Sequence, residues 1–285
     1  MSGMRFVRQP GPPAACRAVV VPAGAVAIEA ELPPGVRLLD AVSALLPRFG
    51  AESACLSLHG GGFGPFGYVI PALSPDGTQA AFYSRTFRPA GISRLDMGAM
   101  TLGFREGEPF FHCHASWTEA DGHAGCGHVL PDETVVAAPI TVRGAGLVGA
   151  RFTVRPDPET GFSLFGPVAT EMAVPGGLRR AVAVRLAPNQ DLVETLEAVS
   201  QGAEFTRARV QGGVASIIEA RFTNGSGIGG FATEMLVRRG VVDCHAAGSE
   251  VEIGIVDLHG TIGTGMLVRG DNPVLMTFEG VLEES

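Results

Sequence analysis

The chain has 285 residues, of which 46% are hydrophobic, and a formal net charge of −8 at pH 7. This length allows one large domain or two of ordinary size, and the apolar fraction excludes global disorder. The negative net charge argues against a surface that binds phosphate backbones, because such a surface needs clustered lysines and arginines. We therefore expect no direct binding to duplex DNA.

The cysteines and the apolar segments bear on the cellular location. The five cysteines include no CxxC pair. The first 13 residues are interrupted by arginines, glycine and prolines, so they lack the hydrophobic region of a signal peptide. No apolar stretch approaches the ~18 residues that span a bilayer. We expect a cytoplasmic protein with reduced cysteines and no membrane partner.

The first predicted element with a clear period is a helix over residues 36–49. Its apolar residues follow the spacing of an amphipathic helix: Leu38, Leu39, Val42, Leu45 and Leu46. A short apolar strand over residues 54–58 comes next and leads into Gly60 and Gly61. The downstream segments are short, alternating and separated by Gly, Pro, Asp and Asn, which predicts antiparallel strands and hairpins.

Three histidines stand close together in the middle of the chain: His112, His114 and His128. His112 and His114 share one face of an extended segment, because side chains alternate along a strand. A turn over residues 119–122 would return His128 beside them on the next strand. We predict a site for a divalent metal, with zinc as the first candidate. Histidines that only hydrogen-bond within a sheet would give the same pattern.

Three neighbours of the histidines are secondary candidates for a metal ligand or a catalytic base, and a fourth is assigned to the core. Cys126 has the same strand parity as His128, which makes it a candidate fourth ligand, whereas Cys113 is predicted to face the core. Asp121 and His123 lie in the predicted turn and are candidate bases if the protein is an enzyme. In that case the metal would act as a Lewis acid or would activate water.

The second half of the sequence repeats the pattern of the first. An amphipathic helix is predicted over residues 191–203, and a glycine-ended segment follows over residues 208–213. Asp257, His259 and Met266 fall where the three histidines would be, and we expect them to be structural. The sequence therefore predicts an α+β protein with two tandem domains, residues 1–175 with the histidine cluster and residues 176–285 as a degenerate copy.

The order of these motifs resembles the plants-and-prokaryotes-conserved (PPC) domain family. The resemblance rests on the helix, the glycine-ended strand, the run of residues 109–115, the Asp-Gly hairpin and Gly127-His128. It implies a compact domain in which a mainly antiparallel sheet packs with a helix. It also implies assembly as a trimer, or as a pseudo-trimer built from tandem copies, and a metal site at the three histidines.

The same resemblance implies a DNA-associated class, because plant members carry basic AT-hooks that bind the minor groove. This sequence contains no Arg-Gly-Arg-Pro hook, and residues 95–103 depart from the Gly-Asn motif of the family. We expect an oligomeric module with a histidine-based metal site. The alternative is a metal-dependent enzyme that acts on a small molecule at the histidine cluster.

Three further motifs suggest other functions. Gly107, His112, His114 and Glu119 approximate the first metal motif of cupins, although no second cupin motif follows. The run of residues 59–63 resembles the oxyanion loop of a lipase, but the Gly-x-Ser-x-Gly elbow is absent. Residues 225–230 match GxGxxG, yet the segment after them is predicted to be a strand, which is the wrong context for a dinucleotide site.

Overall fold

The structure, a computed structural model, describes residues 5–244 and 248–285. About 54% of the chain is strand and 8% is helix. The predicted α+β class is therefore wrong, and the protein is predominantly β. None of the described helices is long and apolar enough to cross a membrane.

Three short helices are present. The predicted helix over residues 36–49 is divided at Ala44, because Pro47 has no N–H to donate to the preceding turn. The helix predicted over residues 191–203 is confirmed, and the Asp191 side chain accepts a hydrogen bond from the Glu194 N–H at its N-terminus. The helices are α1 (Leu38–Ser43), α2 (Leu45–Phe49) and α3 (Leu192–Gly202).

The described residues form 21 strands, of which 17 belong to one continuous, mainly antiparallel sheet. The strands of the first part of the chain are β1 (Ala18–Leu32), β2 (Ser53–His59), β3 (Gly62–Phe63), β4 (Tyr68–Val69), β5 (Pro71–Ala72), β6 (Phe82–Tyr83), β7 (Ser93–Arg105), β8 (Glu108–Thr118), β9 (Ala124–Val129), β10 (Val136–Ala138), β11 (Ile140–Val148), β12 (Ala150–Pro156) and β13 (Ser163–Ala169). The remaining strands are β14 (Arg179–Leu186), β15 (Arg207–Ile217), β16 (Ala220–Arg221), β17 (Gly227–Ile228), β18 (Thr233–Asp243), β19 (Glu250–Asp257), β20 (Ile262–Met266) and β21 (Val274–Glu284).

Strand β1 connects the two parts of the sheet. Its first residues pair with β14 and its last residues pair with β11. On the β11 side the order continues through β2, β7, β8 and β9, and on the β14 side it continues through β21, β15, β18, β19 and β20. Each side encloses its own large apolar core. The division into domains at residues 175 and 176 stays a prediction.

The two sides also pack against each other. Met97 and Cys126 of the first side share an apolar cluster with Leu236 and Val256 of the second. Gly212 lies against β2 with a φ of +64°, and a Cβ at this position would be 2.8 Å from the Cβ of Cys55. The glycine permits this close approach of β15, so β15 crosses the glycines rather than ending at them. This contact brings β18 and β21 up to the histidine-bearing strands.

Candidate metal centre

The predicted hairpin brings the three histidines together. His112 and His114 lie on one face of β8, and His128 on β9 pairs directly across from His114. In the connecting turn the Asp121 side chain accepts a hydrogen bond from the His123 N–H, and Gly122 adopts a φ of +91°. One ligand nitrogen from each of the three rings lies within 4.8 Å of the other two. The hairpin is confirmed; metal binding by these residues stays a prediction.

The hydrogen bonds of His112 and His114 show which ring nitrogens are protonated. His114 Nδ1 lies 2.8 Å from the Met235 carbonyl oxygen, which can only accept, so this nitrogen carries the proton. His112 Nδ1 lies 2.5 Å from Glu279 Oε1, and it is the donor when this carboxyl group is ionised. Both Nε2 atoms then carry lone pairs, and they face each other 3.0 Å apart. Two facing lone pairs repel unless a cation or a proton lies between them.

This arrangement fits a metal ion. Two nitrogens that each lie 2.0–2.1 Å from one tetrahedral zinc ion are about 3.3 Å apart, close to the observed separation. Ligating histidines commonly donate their second N–H to a carboxylate or a backbone carbonyl, as His112 and His114 do here. His128 Nδ1 is buried and has no hydrogen-bond partner among the described residues. An orphaned nitrogen beside two lone pairs is the pattern of a metal-ligand set.

The protonation states of the rings also favour metal binding. Burial lowers the pKa of His114 well below 6.5, and the adjacent His112 lowers it further. Burial does the same to the pKa of His128, where both other histidines add to the effect. His114 and His128 are therefore neutral at pH 7 and offer their lone pairs without competition from protons.

Two carboxylates that sequence reasoning missed complete the site. Glu234 on β18 and Glu279 on β21 are 6% and 0% exposed, and each has an oxygen without a partner among the described residues. Glu234 Oε2 lies 3.8 Å from His114 Nε2. Burial raises the pKa of Glu234 to about 8, although a hydrogen bond from the His128 backbone counteracts it. A cation at the histidines would compensate the buried negative charge.

A sequence signal for these two residues exists. Each lies between apolar residues in the buried part of a long strand, where an unpaired charge costs free energy. The second half of the chain therefore contributes to this site, because Glu234, Glu279 and the Met235 carbonyl all come from it.

Two cavities adjoin the histidines. A small inner cavity of about 50 Å³ lies between His114, Glu234 and Met276. A wider outer groove of about 460 Å³ reaches His112 and His128 from the other side. The short β5–β6 hairpin lines both cavities through Phe82 and Tyr83. The Tyr83 ring centroid lies 5.2 Å from that of His128. The volume of the outer groove is within the range of small-molecule sites.

The secondary candidates lie away from this cluster. The Cys126 thiol packs among apolar side chains, where burial raises its pKa to about 12, and it is not in the ligand group. Asp121 and His123 are exposed in the turn. Glu119 accepts a hydrogen bond from the Tyr68 hydroxyl, so the cupin set with Glu119 does not form. Cys113 is fully buried in the core, as predicted.

The proposed counterparts in the second half form no metal site among the described residues. Asp257 accepts hydrogen bonds from two backbone N–H groups of its own turn, and His259 is exposed there. Their structural role stays a prediction. Residues 225–230 lead into β18 rather than a helix. Gly60 and Gly61 adopt positive φ between β2 and β3, which confirms a structural turn.

Comparisons with known proteins bear on the fold. No family profile and no curated protein matches this chain. Solved structures do match. A plant- and prokaryote-conserved (PPC) protein from Pyrococcus horikoshii is 17% identical with a TM-score of 0.41, and the match covers 52% of this chain and 96% of that one. PPC proteins are the family that the motif order resembles.

Two other matching structures carry descriptive names. A "metal-containing protein" from Archaeoglobus fulgidus is 17% identical with a TM-score of 0.39, and the match covers 58% of this chain and 99% of that one. A "putative DNA-binding protein" from Ralstonia eutropha is 18% identical with a TM-score of 0.36, and the match covers 48% of this chain and 89% of that one. At these identities the likeness concerns the fold alone.

Proposed function

We propose that this protein binds one divalent first-row cation through His112, His114 and His128, with zinc as the first candidate, and acts on a small molecule at that site. The observation that carries the proposal is the pair of Nε2 atoms 3.0 Å apart, each on a ring whose Nδ1 is already engaged. The name of the Archaeoglobus protein is consistent with the proposal.

The protein's own residues would assist such a reaction in distinct ways. A bound cation would polarise a carbonyl oxygen or lower the pKa of a water molecule. Glu279 orients the His112 ring through its hydrogen bond to Nδ1. Glu234, with a pKa of about 8, can hold a proton at Oε2 at neutral pH and release it near that value. A buried carboxyl group that lies 3.8 Å from His114 Nε2 and lines a cavity supports an enzyme over a purely structural metal site.

A DNA-associated role rests on names and on the family resemblance. Two matching proteins are named "putative DNA-binding", but the net charge of −8 and the enclosed histidine cluster favour a small molecule as the direct partner. The expected trimer or pseudo-trimer and the cytoplasmic location stay predictions. Light scattering on the purified chain tests the assembly, and a monomer mass would contradict it.

The metal proposal is tested by elemental analysis of the purified full chain. X-ray fluorescence should detect about one divalent ion per chain, and a crystal should show anomalous density between the three histidines. His128→Ala should lose the ion, whereas His123→Ala, which removes an exposed imidazole from the adjacent turn, should retain it. A wild-type chain that retains no ion after zinc loading, or a His128→Ala variant that binds zinc normally, would refute the proposal.

A further inference from the structure

The outer groove runs along one sheet face from the histidines toward the end of β7. Phe110 and His112 point to the same face of β8, since they are two residues apart. Arg105, at the end of β7, lines this groove together with them. Its guanidinium carbon lies 4.8 Å from the centroid of the Phe110 ring. The groove therefore has the histidines at one end and a positive charge near the other.

Arg105 forms no ion pair with an acidic side chain of the described residues. Across residues 5–244 and 248–285, no carboxylate lies within 4.0 Å of its guanidinium nitrogens. By contrast, Arg88 pairs with Glu133 of the same groove through two 2.6 Å hydrogen bonds. The ring of Phe110 orients the Arg105 guanidinium by stacking and leaves its N–H donors available.

The spacing sets the size of a ligand. Alternate residues on one strand face are about 6.6 Å apart, and the Arg105 guanidinium stacks on Phe110, two residues from His112. The walls between them are largely aromatic and include Phe82, Tyr83, Phe162 and Phe165. A ligand that spans this distance needs a negative group at one end and a flat apolar body between the two ends.

We propose that the groove binds a small monocarboxylate with an aromatic body, whose carboxylate pairs with Arg105 and whose far end carries a carbonyl or hydroxyl oxygen directed at the histidines. The contact at the far end rests on the proposed metal function, whereas the Arg105 contact does not. The planar guanidinium matches a carboxylate in a bidentate geometry. A dianion is disfavoured because Asp132 and Glu133 also line the groove.

The test uses three matched probes on the full chain, with and without zinc, by isothermal titration calorimetry. 4-Methylbenzoate carries the carboxylate and the ring, 4-methylbenzyl alcohol lacks the carboxylate, and 4-(hydroxymethyl)benzoate adds the oxygen at the far end. The variant is Arg105→Gln. The control is Arg151→Gln, because Arg151 also stacks on an aromatic ring, that of Phe104 at 5.2 Å, but lies outside the groove.

We expect Arg105→Gln to weaken 4-methylbenzoate binding about 10- to 100-fold, as the loss of a charge-assisted hydrogen bond does, while Arg151→Gln leaves it unchanged. 4-Methylbenzyl alcohol should bind wild type and Arg105→Gln equally. The inference is overturned if wild type does not bind 4-methylbenzoate, or if Arg105→Gln binds it as wild type does. These results are independent of metal and can be obtained with the zinc-free protein.

The far end of the ligand is tested separately. With zinc, 4-(hydroxymethyl)benzoate should bind more tightly than 4-methylbenzoate, and His128→Ala should remove this difference. Equal binding of the two probes by the zinc-loaded protein overturns the assignment of the oxygen. Failure of the chain to take up zinc refutes the proposed metal function, while the Arg105-dependent binding of 4-methylbenzoate still decides the groove assignment.

Discussion

Glu279 offers a sharp test of how the second half of the chain supports the histidines. Its carboxylate is completely buried, accepts a hydrogen bond from His112 Nδ1, and has one oxygen without a partner among the described residues. Glu279→Gln keeps the shape and the acceptor oxygen but removes the negative charge. The His112 ring should stay in place, while its Nε2 becomes a weaker electron donor.

The size of the effect follows from the role of such carboxylates. Losing the partner of a ligating histidine typically lowers metal affinity 10- to 100-fold, which corresponds to about 1.4–2.7 kcal/mol of binding free energy. The metal-free protein should not lose stability to the same extent, because the substitution also removes a buried charge that lacks a full complement of partners. The variant should therefore separate metal affinity from folding.

The assay is zinc titration in competition with a chelator of known affinity, together with thermal melts of the metal-free and zinc-loaded protein. Glu283→Gln is the matched control: Glu283 is a buried carboxylate on the same strand, but it pairs with Arg179 and Gln211. Glu279→Gln should bind zinc more weakly and Glu283→Gln should bind it normally. Wild-type affinity in Glu279→Gln, or an equal loss in Glu283→Gln, would refute the assigned role of Glu279.

Three other predictions follow from the site and the charge. His114→Ala should abolish metal content and lower the free energy of unfolding by about 1–3 kcal/mol, because the Met235 carbonyl loses its buried donor; elemental analysis and urea melts measure both. Glu234→Gln should raise the melting temperature of the metal-free protein at pH 9 but not at pH 4. The pKa of Glu234 is about 8 in the folded state and about 4.5 in the unfolded state, so the folded wild-type protein binds more protons than the unfolded one between these values. The wild-type protein therefore loses stability as the pH rises from about 4.5 to about 8. No shift at pH 9 would contradict this. The purified chain should not bind duplex DNA strongly at physiological salt, and submicromolar gel-shift binding with a steep salt dependence would contradict that expectation.

The histidine hairpin could be predicted because its determinants are local. The alternation of side chains put His112 and His114 on one face, and the Asp-Gly turn fixed the pairing of His114 with His128. The helix over residues 191–203 was equally predictable, since Asp191 supplies a cap and its apolar residues are periodic. Interactions between residues that are close in the sequence can be predicted from local sequence patterns.

The fold class and the buried carboxylates could not be predicted in this way. The apolar periodicity of residues 36–49 correctly predicted helical structure, but Pro47 interrupts it and two short helices form. Most of the remaining chain belongs to one large sheet. The contact between His112 and Glu279 joins positions 167 apart in the sequence. No local pattern encodes which strands of the second half meet β8, because that contact depends on the packing between the two sides of the sheet.

This packing would give the proposed metal binding a role in stability. The histidines lie on β8 and β9, whereas the groups that anchor two of them lie on β18 and β21. A cation bound at the histidines therefore favours the arrangement in which the two sides of the sheet are in contact. Binding only to the folded state adds about 2.7 kcal/mol when the free ion is at 100 times its dissociation constant. The same coupling would act on Glu234 and Glu279: a cation bound at the Nε2 atoms would offset part of the free energy that their burial costs in the ionised form.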